Sequence, residues 1–312
     1  MKTTSTRSVT QRIFPALGTV NTLTCFDGCG AEAMDETVIR IKQLHSMLSA
    51  FDKNSEISRI NRNAGIAPVQ VSDETMHLII KSIEYSELTG GRFDITTGPL
   101  SRLWKRAVAG GSEPDEQEIE SALELTGYRD ILADERKKTV MLRKKGQSID
   151  LGAIAKGYAA DEAKGIFQEH GISDAIINLG GTVIALGEKR IGIQHPFRKT
   201  GAYFGSIKAK DEAVVTAGVY EQCRKTDGGL IHHIIDPKTG YPAAAEFSSV
   251  TLTGDSAEEL DALSTAALMT GAGKAAVLLA ERGIEGLFVT LEGEIYATRG
   301  ISPDTDPEPE AR

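Results

Sequence analysis

The β-like runs of this chain come in adjacent groups between helices instead of alternating with helices one for one, and this limits its fold more than any other feature. DAIINLGGTVIALGEKRIGI (174–193) reads as strand, glycine turn, strand, and further short runs follow near 203–209, 213–217, 231–235 and 247–253. A doubly wound parallel sheet needs a helical crossover between successive strands. The pattern instead predicts an α+β fold with a mixed or antiparallel sheet and packed helices. An early strand is expected within 15–26 and a helix over 31–50 through Met34, Val38, Ile41, Leu44 and Leu48. A second helix is expected over 73–89, stopped by Gly90 and Gly91. Residues 51–65 read as polar and broken, 91–104 as an irregular site-forming segment and 110–127 as a surface helix. A hairpin is expected over 128–132 and 138–143. SIDLGAIAKGYAADEAKGIFQEHG (148–171) reads as a strand end entering a helix through glycine. Helices over 256–270 and 272–283 and strands near 285–290 and 294–298 close the domain. The domain is set at 15–300, with an N-terminal extension over 1–14 and a polar, Pro-rich tail over 301–312.

At 312 residues and 40% apolar content the chain can bury a sizeable core. Its 35 basic and 44 acidic residues leave a net charge of −9, which opposes the attraction to phosphate backbones behind nucleic-acid binding. One tryptophan among 5% aromatics gives no stacking platform. Nucleic acid is excluded as an expected partner. Cys25, Cys29 and Cys223 form neither a disulfide framework nor a CxxC pair, so they read as reduced structural thiols. The N-terminus has no apolar core of a signal peptide and no lipid-attachment cysteine after one, and no 18-residue apolar run occurs anywhere. A cytoplasmic protein without a transmembrane segment is expected.

The most informative segment is DSAEELDALSTAALMTGAG (255–273), where Asp261 interrupts an apolar helix. An unpaired carboxylate there would cost several kcal/mol, so it needs a partner. Thr265 lies four residues on, on the same face, and the two oxygens can serve a hard cation such as Mg²⁺. The alternative is that Asp261 caps a neighbouring loop and Thr265 bonds back to its own helix. Ser264 is a third candidate oxygen or a small packing residue. IDLGAIAKGYAAD (149–161) sets Asp150, two glycines and Lys156 at a helix start, which suits either phosphate or a structural turn. GLIHHIIDPKTGYP (229–242) puts two histidines in a β-like run, so alternation sends them to opposite faces. His233 is the candidate for proton transfer, or else a packed strand residue.

Taken together and in this order, SEISRIN (55–61), GRFDITTGPLSRLW (91–104), IDLGAIAKGYAAD, INLGG (177–181), HHIIDPKTGYP (232–242) and DALSTAALMTG (261–271) resemble the ApbE family of FAD:protein FMN transferases. The resemblance runs from about residue 15 to 300. It implies a T-fold-like single domain and Mg²⁺-dependent splitting of FAD, with FMN passed to a Thr or Ser of an acceptor flavoprotein and AMP released. By the same resemblance Asp261 and Thr265 would hold the metal, with the Ala153 carbonyl as a further ligand and Ser264 as a neighbour; Mn²⁺ suits the same oxygens. Asp150, Lys156 and Ile235 would contact FAD. Leu17, at a position where the family usually carries Met, would line the flavin or adenine pocket with Ser49, Ala50 and Phe51, and Asp94 and Thr96 would fall in the same cleft. His233 would be the base for the acceptor hydroxyl. The chain departs from the family pattern at Thr182, Arg190, Ala217, Val219 and Gln222. Two other activities use the same residues: a metal-dependent FAD pyrophosphatase, and a non-catalytic FAD-binding protein.

Overall fold

The structure is a computed structural model that describes residues 9–26, 28, 30–199, 201–226, 229–298 and 301. Fifteen strands and eight α-helices are built from these residues. The chain opens with the hairpin β1 (Thr10–Ala16) and β2 (Thr19–Cys25), turned by Leu17 and Gly18. Both have positive φ, 53° and 73°, the backbone of a two-residue turn that follows the twist of the strands. Strand β1 begins inside the stretch set aside as an extension, because its alternating burial gives it an apolar inner face to set on the sheet.

Helices α1 (Ala31–Leu48), α2 (Glu56–Arg62) and α3 (Asp73–Leu88) follow, with the short strand β3 (Val69–Gln70) between the last two. Then come α4 (Gly98–Val108) and α5 (Glu116–Leu123), and the hairpin β4 (Ile131–Asp134) and β5 (Thr139–Leu142). After α6 (Ala155–Glu169) the strands β6 (Ala175–Leu179), β7 (Thr182–Leu186), β8 (Glu188–Gln194), β9 (Tyr203–Lys210) and β10 (Ala213–Gly218) run in succession. The hairpin β11 (Cys223–Thr226) and β12 (Gly229–His232) precedes β13 (Phe247–Gly254). Helices α7 (Ala257–Thr270) and α8 (Ala272–Ala280) and strands β14 (Glu285–Thr290) and β15 (Ile295–Ala297) end the fold.

Eight strands form one sheet in the order β1-β2-β6-β7-β10-β13-β14-β15, every pair antiparallel. This is the α+β class that the grouped strands predict. Helices α1, α6, α7 and α8 cover one face through the main core, which includes Leu23, Ile41, Phe167, Ile177 and Leu263. The β8–β9 hairpin covers part of the other face, packing Ile191, Ile193 and Ile207 on Val183, Val214 and Leu287. A third, smaller core joins α4 and α5 to β12 through Leu100, Trp104, Ile119, Ile231 and Ile235. No helix among the described residues is long and apolar enough to cross a membrane. Cys25 is buried and Cys223 exposed; Cys29 and nearly all of the 301–312 tail lie outside the described residues.

Two segments differ from their sequence reading. Helix α2 forms where a broken polar stretch is expected, because Ser55 caps it by accepting from the Ser58 N–H at 2.9 Å and Glu56 reaches to Ser72. Helix α4 forms where an irregular segment is expected, with Pro99 in its first turn, where a missing N–H costs nothing.

Candidate active site

Helix α7 is buried on nearly all sides, and each of Leu260, Leu263 and Leu268 contributes roughly 1.5–3 kcal/mol by leaving water. Its start is fixed from outside: Ser256 accepts from the Glu259 N–H, and the Asp161 carboxylate of α6 accepts from the N–H groups of Ala257 and Glu258 at 3.0 Å each. Burial pushes the Asp161 carboxyl upward in pKa, and these donors oppose the rise. The two helices touch at Gly157, where a Cβ would fall against the carbonyl of Ala257. Only glycine allows that approach.

This crossing brings Asp261 to its partners. Its side chain is 7% exposed, and Lys156 Nζ donates to Oδ1 at 3.0 Å and to Oδ2 at 3.2 Å. The Gly157 N–H donates to Oδ2 at 3.0 Å. That N–H is thereby withheld from the Ala153 carbonyl one turn below, which accepts no hydrogen bond among the described residues. Ser264 and Thr265 donate their hydroxyls back to the Asp261 carbonyl, at 3.0 and 3.4 Å. An anionic carboxylate, an open carbonyl and hydroxyl oxygens on the same turn are a hard-oxygen set. It fits Mg²⁺ or Mn²⁺, which need few protein ligands and complete their shells with phosphate and water. No group of three or more His, Cys, Asp or Glu side chains that could hold a metal occurs among the described residues.

The 149–152 turn lies beside this crossing. Asn61 of α2 holds it by accepting from the Ile149 N–H at 2.8 Å and donating to the Ile149 carbonyl at 3.0 Å. Asp150 Oδ1 accepts from the Gly152 N–H at 2.9 Å, and the Gly152 carbonyl accepts from Lys156 at 3.2 Å. Ser49 shapes the neighbouring loop by accepting from the N–H groups of Phe51 and Asp52 at 3.1 Å each. Ala50 and Leu17 pack on the edge of the main core, and the Leu17 N–H donates to His45 Nδ1 at 3.2 Å. Phe51 is 75% exposed, an unusual place for a large aromatic ring.

His232 ends β12 and His233 follows it outside the strand, and the Nδ1 atoms of both are buried without a hydrogen-bond partner among the described residues. His232 is buried and its Nε2 lies 3.2 Å from the Ala243 carbonyl. The His233 N–H donates to the Gln222 carbonyl at 3.1 Å. Burial pushes the His233 imidazole down to about 4, and the neighbouring His232, then Lys105 and Lys156, contribute to the drop. The ring is therefore neutral at pH 7 and able to accept a proton.

The model of the ApbE family matches residues 17–288. The chain belongs to the ApbE family. Among its curated relatives, an FAD:protein FMN transferase of Klebsiella pneumoniae is 36% identical over 266 residues, covering 85% of this chain and 84% of the relative. One from Treponema pallidum is 31% identical, covering 86% and 80%. Among solved structures, the ApbE protein of Thermotoga maritima superposes with a TM-score of 0.86 at 32% identity, covering 94% of this chain and 98% of that one. The flavin transferase ApbE from Vibrio cholerae gives 0.82 at 26% identity, covering 94% and 97%.

Within this ApbE fold the candidate residues divide. Asp261, Lys156, Ser264, Thr265 and Ala153 come together at the α6–α7 crossing, and the Asp150 turn joins them through Gly152. Asp94 and Thr96 are tied to each other and to the Gly127–Tyr128 backbone. Asp94 accepts from the Thr96 N–H, the Thr96 hydroxyl and the Tyr128 N–H, and Thr96 Oγ1 accepts from the Gly127 N–H at 2.7 Å. Burial raises the Asp94 carboxyl in pKa. The pair braces the start of α4. Ile235 is buried in the third core with Leu100 and Trp104 of α4. Three residues that the motifs did not single out bear on the site. Asn61 positions the Asp150 turn. Lys105 of α4 sits 3.8 Å from Asp150 Oδ2 and 5.0 Å above the Phe51 ring. Glu221, in the loop before β11, is raised in pKa chiefly by desolvation, and it senses both Lys156 and Asp261. No local pattern marks Lys105 or Glu221, since each sits in an ordinary polar stretch.

Proposed function

We propose that this chain is an FAD:protein FMN transferase that attaches FMN through a phosphoester to a Thr or Ser of an acceptor flavoprotein and releases AMP. The observation that carries the reading is the buried Asp261 carboxylate, gripped by Lys156 and the Gly157 N–H beside an Ala153 carbonyl that has no donor. The names of the Klebsiella and Treponema relatives supply the substrate. Asp261, Thr265 and the Ala153 carbonyl would hold Mg²⁺ or Mn²⁺, with Ser264 supporting the turn. When bound, such an ion neutralises charge on the pyrophosphate oxygens.

The remaining chemistry belongs to the chain's own groups. Lys156 adds positive charge beside the phosphates, and the Asp150 turn sets the backbone that borders them. Leu17 and the Ser49–Ala50–Phe51 loop supply the apolar and stacking contacts for a ring system. His233, neutral above about pH 4, takes the proton of the acceptor hydroxyl. The acceptor oxygen then forms a bond to the FMN phosphorus while the bond from that phosphorus to the bridging oxygen breaks. AMP leaves with the bridging oxygen and its electron pair. Positioning and charge stabilisation supply most of the acceleration in such transfers.

The test is incubation of the protein with FAD, Mg²⁺ and a Thr-bearing acceptor domain, followed by mass spectrometry of the acceptor and chromatography of the nucleotides. Acceptor carrying FMN with an equal amount of AMP is expected. Free FMN with AMP would instead identify a pyrophosphatase, and intact FAD with tight binding would identify a binding protein.

A further inference from the structure

The 150–152 turn lies between two ammonium groups that are held very differently. Lys156 is 24% exposed and committed to both oxygens of Asp261 and to the Gly152 carbonyl. Lys105, at the end of α4, is 43% exposed and makes only loose contacts. It stands 3.8 Å from Asp150 Oδ2, about an ångström beyond the length of a charge-assisted hydrogen bond. Its other neighbour is the exposed Phe51 ring at 5.0 Å. The strong acceptor capacity of Asp150 goes elsewhere, through Oδ1 to the Gly152 N–H. Lys105 therefore keeps donors that no close partner among the described residues takes. Its charge, like that of Lys156, reaches the His233 imidazole.

We propose that Lys105 is a further substrate-contacting residue, which swings from Asp150 onto a non-bridging oxygen of the FAD pyrophosphate when the dinucleotide binds. The inference rests on the flavin-transfer reading. A long lysine stem ending in a compact charge suits a phosphate oxygen reached by a short movement. Phe51 guides the ammonium by its ring face until phosphate replaces it. As the acceptor oxygen bonds to phosphorus and the bridging oxygen departs with AMP, the ammonium offsets charge on the phosphoryl oxygens.

The test uses the full chain with Lys105→Met, which keeps the stem and removes the charge, and Lys105→Arg, which keeps the charge. FAD affinity is measured by flavin fluorescence titration with Mg²⁺ present, and KM and kcat are measured for flavin transfer to a Thr-bearing acceptor. Lys105→Met is expected to weaken FAD binding and lower kcat/KM by about 10- to 100-fold, the loss of one charged hydrogen bond, and Lys105→Arg to recover most of it. FAD affinity and kcat/KM of Lys105→Met within twofold of the wild type would overturn the inference. So would a loss that Lys105→Arg leaves unrestored, which would mark a packing role. If the wild type transfers no flavin at all, the functional reading fails, and the FAD titration of the two variants still decides Lys105.

Discussion

Around Asp261 the protein buries a charge and surrounds it with fixed partners, whereas around His233 it desolvates a ring and leaves it neutral. At the α6–α7 crossing an ammonium and a backbone N–H meet the carboxylate, and Asp161 anchors the helix that carries it. At His233 burial drives the imidazole down to about 4 and leaves Nδ1 without a partner among the described residues. A fixed charge is useful where an anionic substrate and a cation must be held. A neutral base must change state during a turnover, so fixed ionic partners would work against it. The difference teaches that one fold can keep one group charged and another neutral by controlling which of them is given partners.

The largest expected effect comes from breaking the fixed side. Asp261→Asn leaves Lys156 without its counter-charge, which costs about 3–5 kcal/mol when a buried pair loses one member, and should lower flavin transfer by roughly 10²–10³. Thermal unfolding and acceptor flavinylation measured on the same sample check both effects. Lys156→Met would then restore part of the stability of Asp261→Asn but none of its activity.

His233→Ala should separate the two sides next, lowering transfer by roughly 10²–10⁴ while unfolding moves far less than in Asp261→Asn. The pH profile sharpens the point. Because the folded imidazole titrates near 4 and the unfolded one near 6.5, the His233 contribution to stability is fully present above pH 6.5. It is lost as the pH falls toward about 4, where the unfolded chain takes up a proton that the folded chain refuses. Transfer by the wild type should likewise hold its rate from neutral pH down toward about 4.5. An acid limb near 6.5 in the pH dependence of kcat/KM would contradict a desolvated His233.

Gly157→Ala tests the crossing without touching a charge. Its new methyl meets the Ala257 carbonyl and should cost about 1–3 kcal/mol, with Mg²⁺ affinity reduced because Asp261 is displaced; calorimetry checks the two together. The smallest effect is expected at the support of the His233 side. Trp104→Phe removes the indole N–H donated to the Gly240 carbonyl at 2.8 Å, a loss of about 1 kcal/mol visible in urea unfolding, with transfer reduced only severalfold.

Much of this was legible locally. Helical spacing identifies α1, α3 and α7, and the grouping of β-like runs predicts an α+β fold with a mixed or antiparallel sheet, which is antiparallel throughout. Asp261 was conspicuous because a carboxylate inside an apolar helix demands a partner. The β11 strand was not separable from its loop, since its four residues alternate without strong apolar character. Asp94 and Thr96 fall in the cleft only by the family resemblance, and no local pattern shows that they bond to each other and to the Gly127 and Tyr128 N–H groups.

The sequence by itself determined most of the helices and strands, α2, α4 and β11 apart, and that the carboxylate within the apolar α7 needs a partner. Those properties follow from periodicity and from the cost of burying charge, both of which act over a few residues. Only the tertiary structure decided that Lys156 and Gly157 are the partners of Asp261, more than a hundred residues away in the chain. It alone placed Lys105 beside Asp150, and it alone lowered His233 chiefly by burial. The reason is that partner choice and desolvation depend on which surfaces the sheet and helices press together, and no local pattern carries that information.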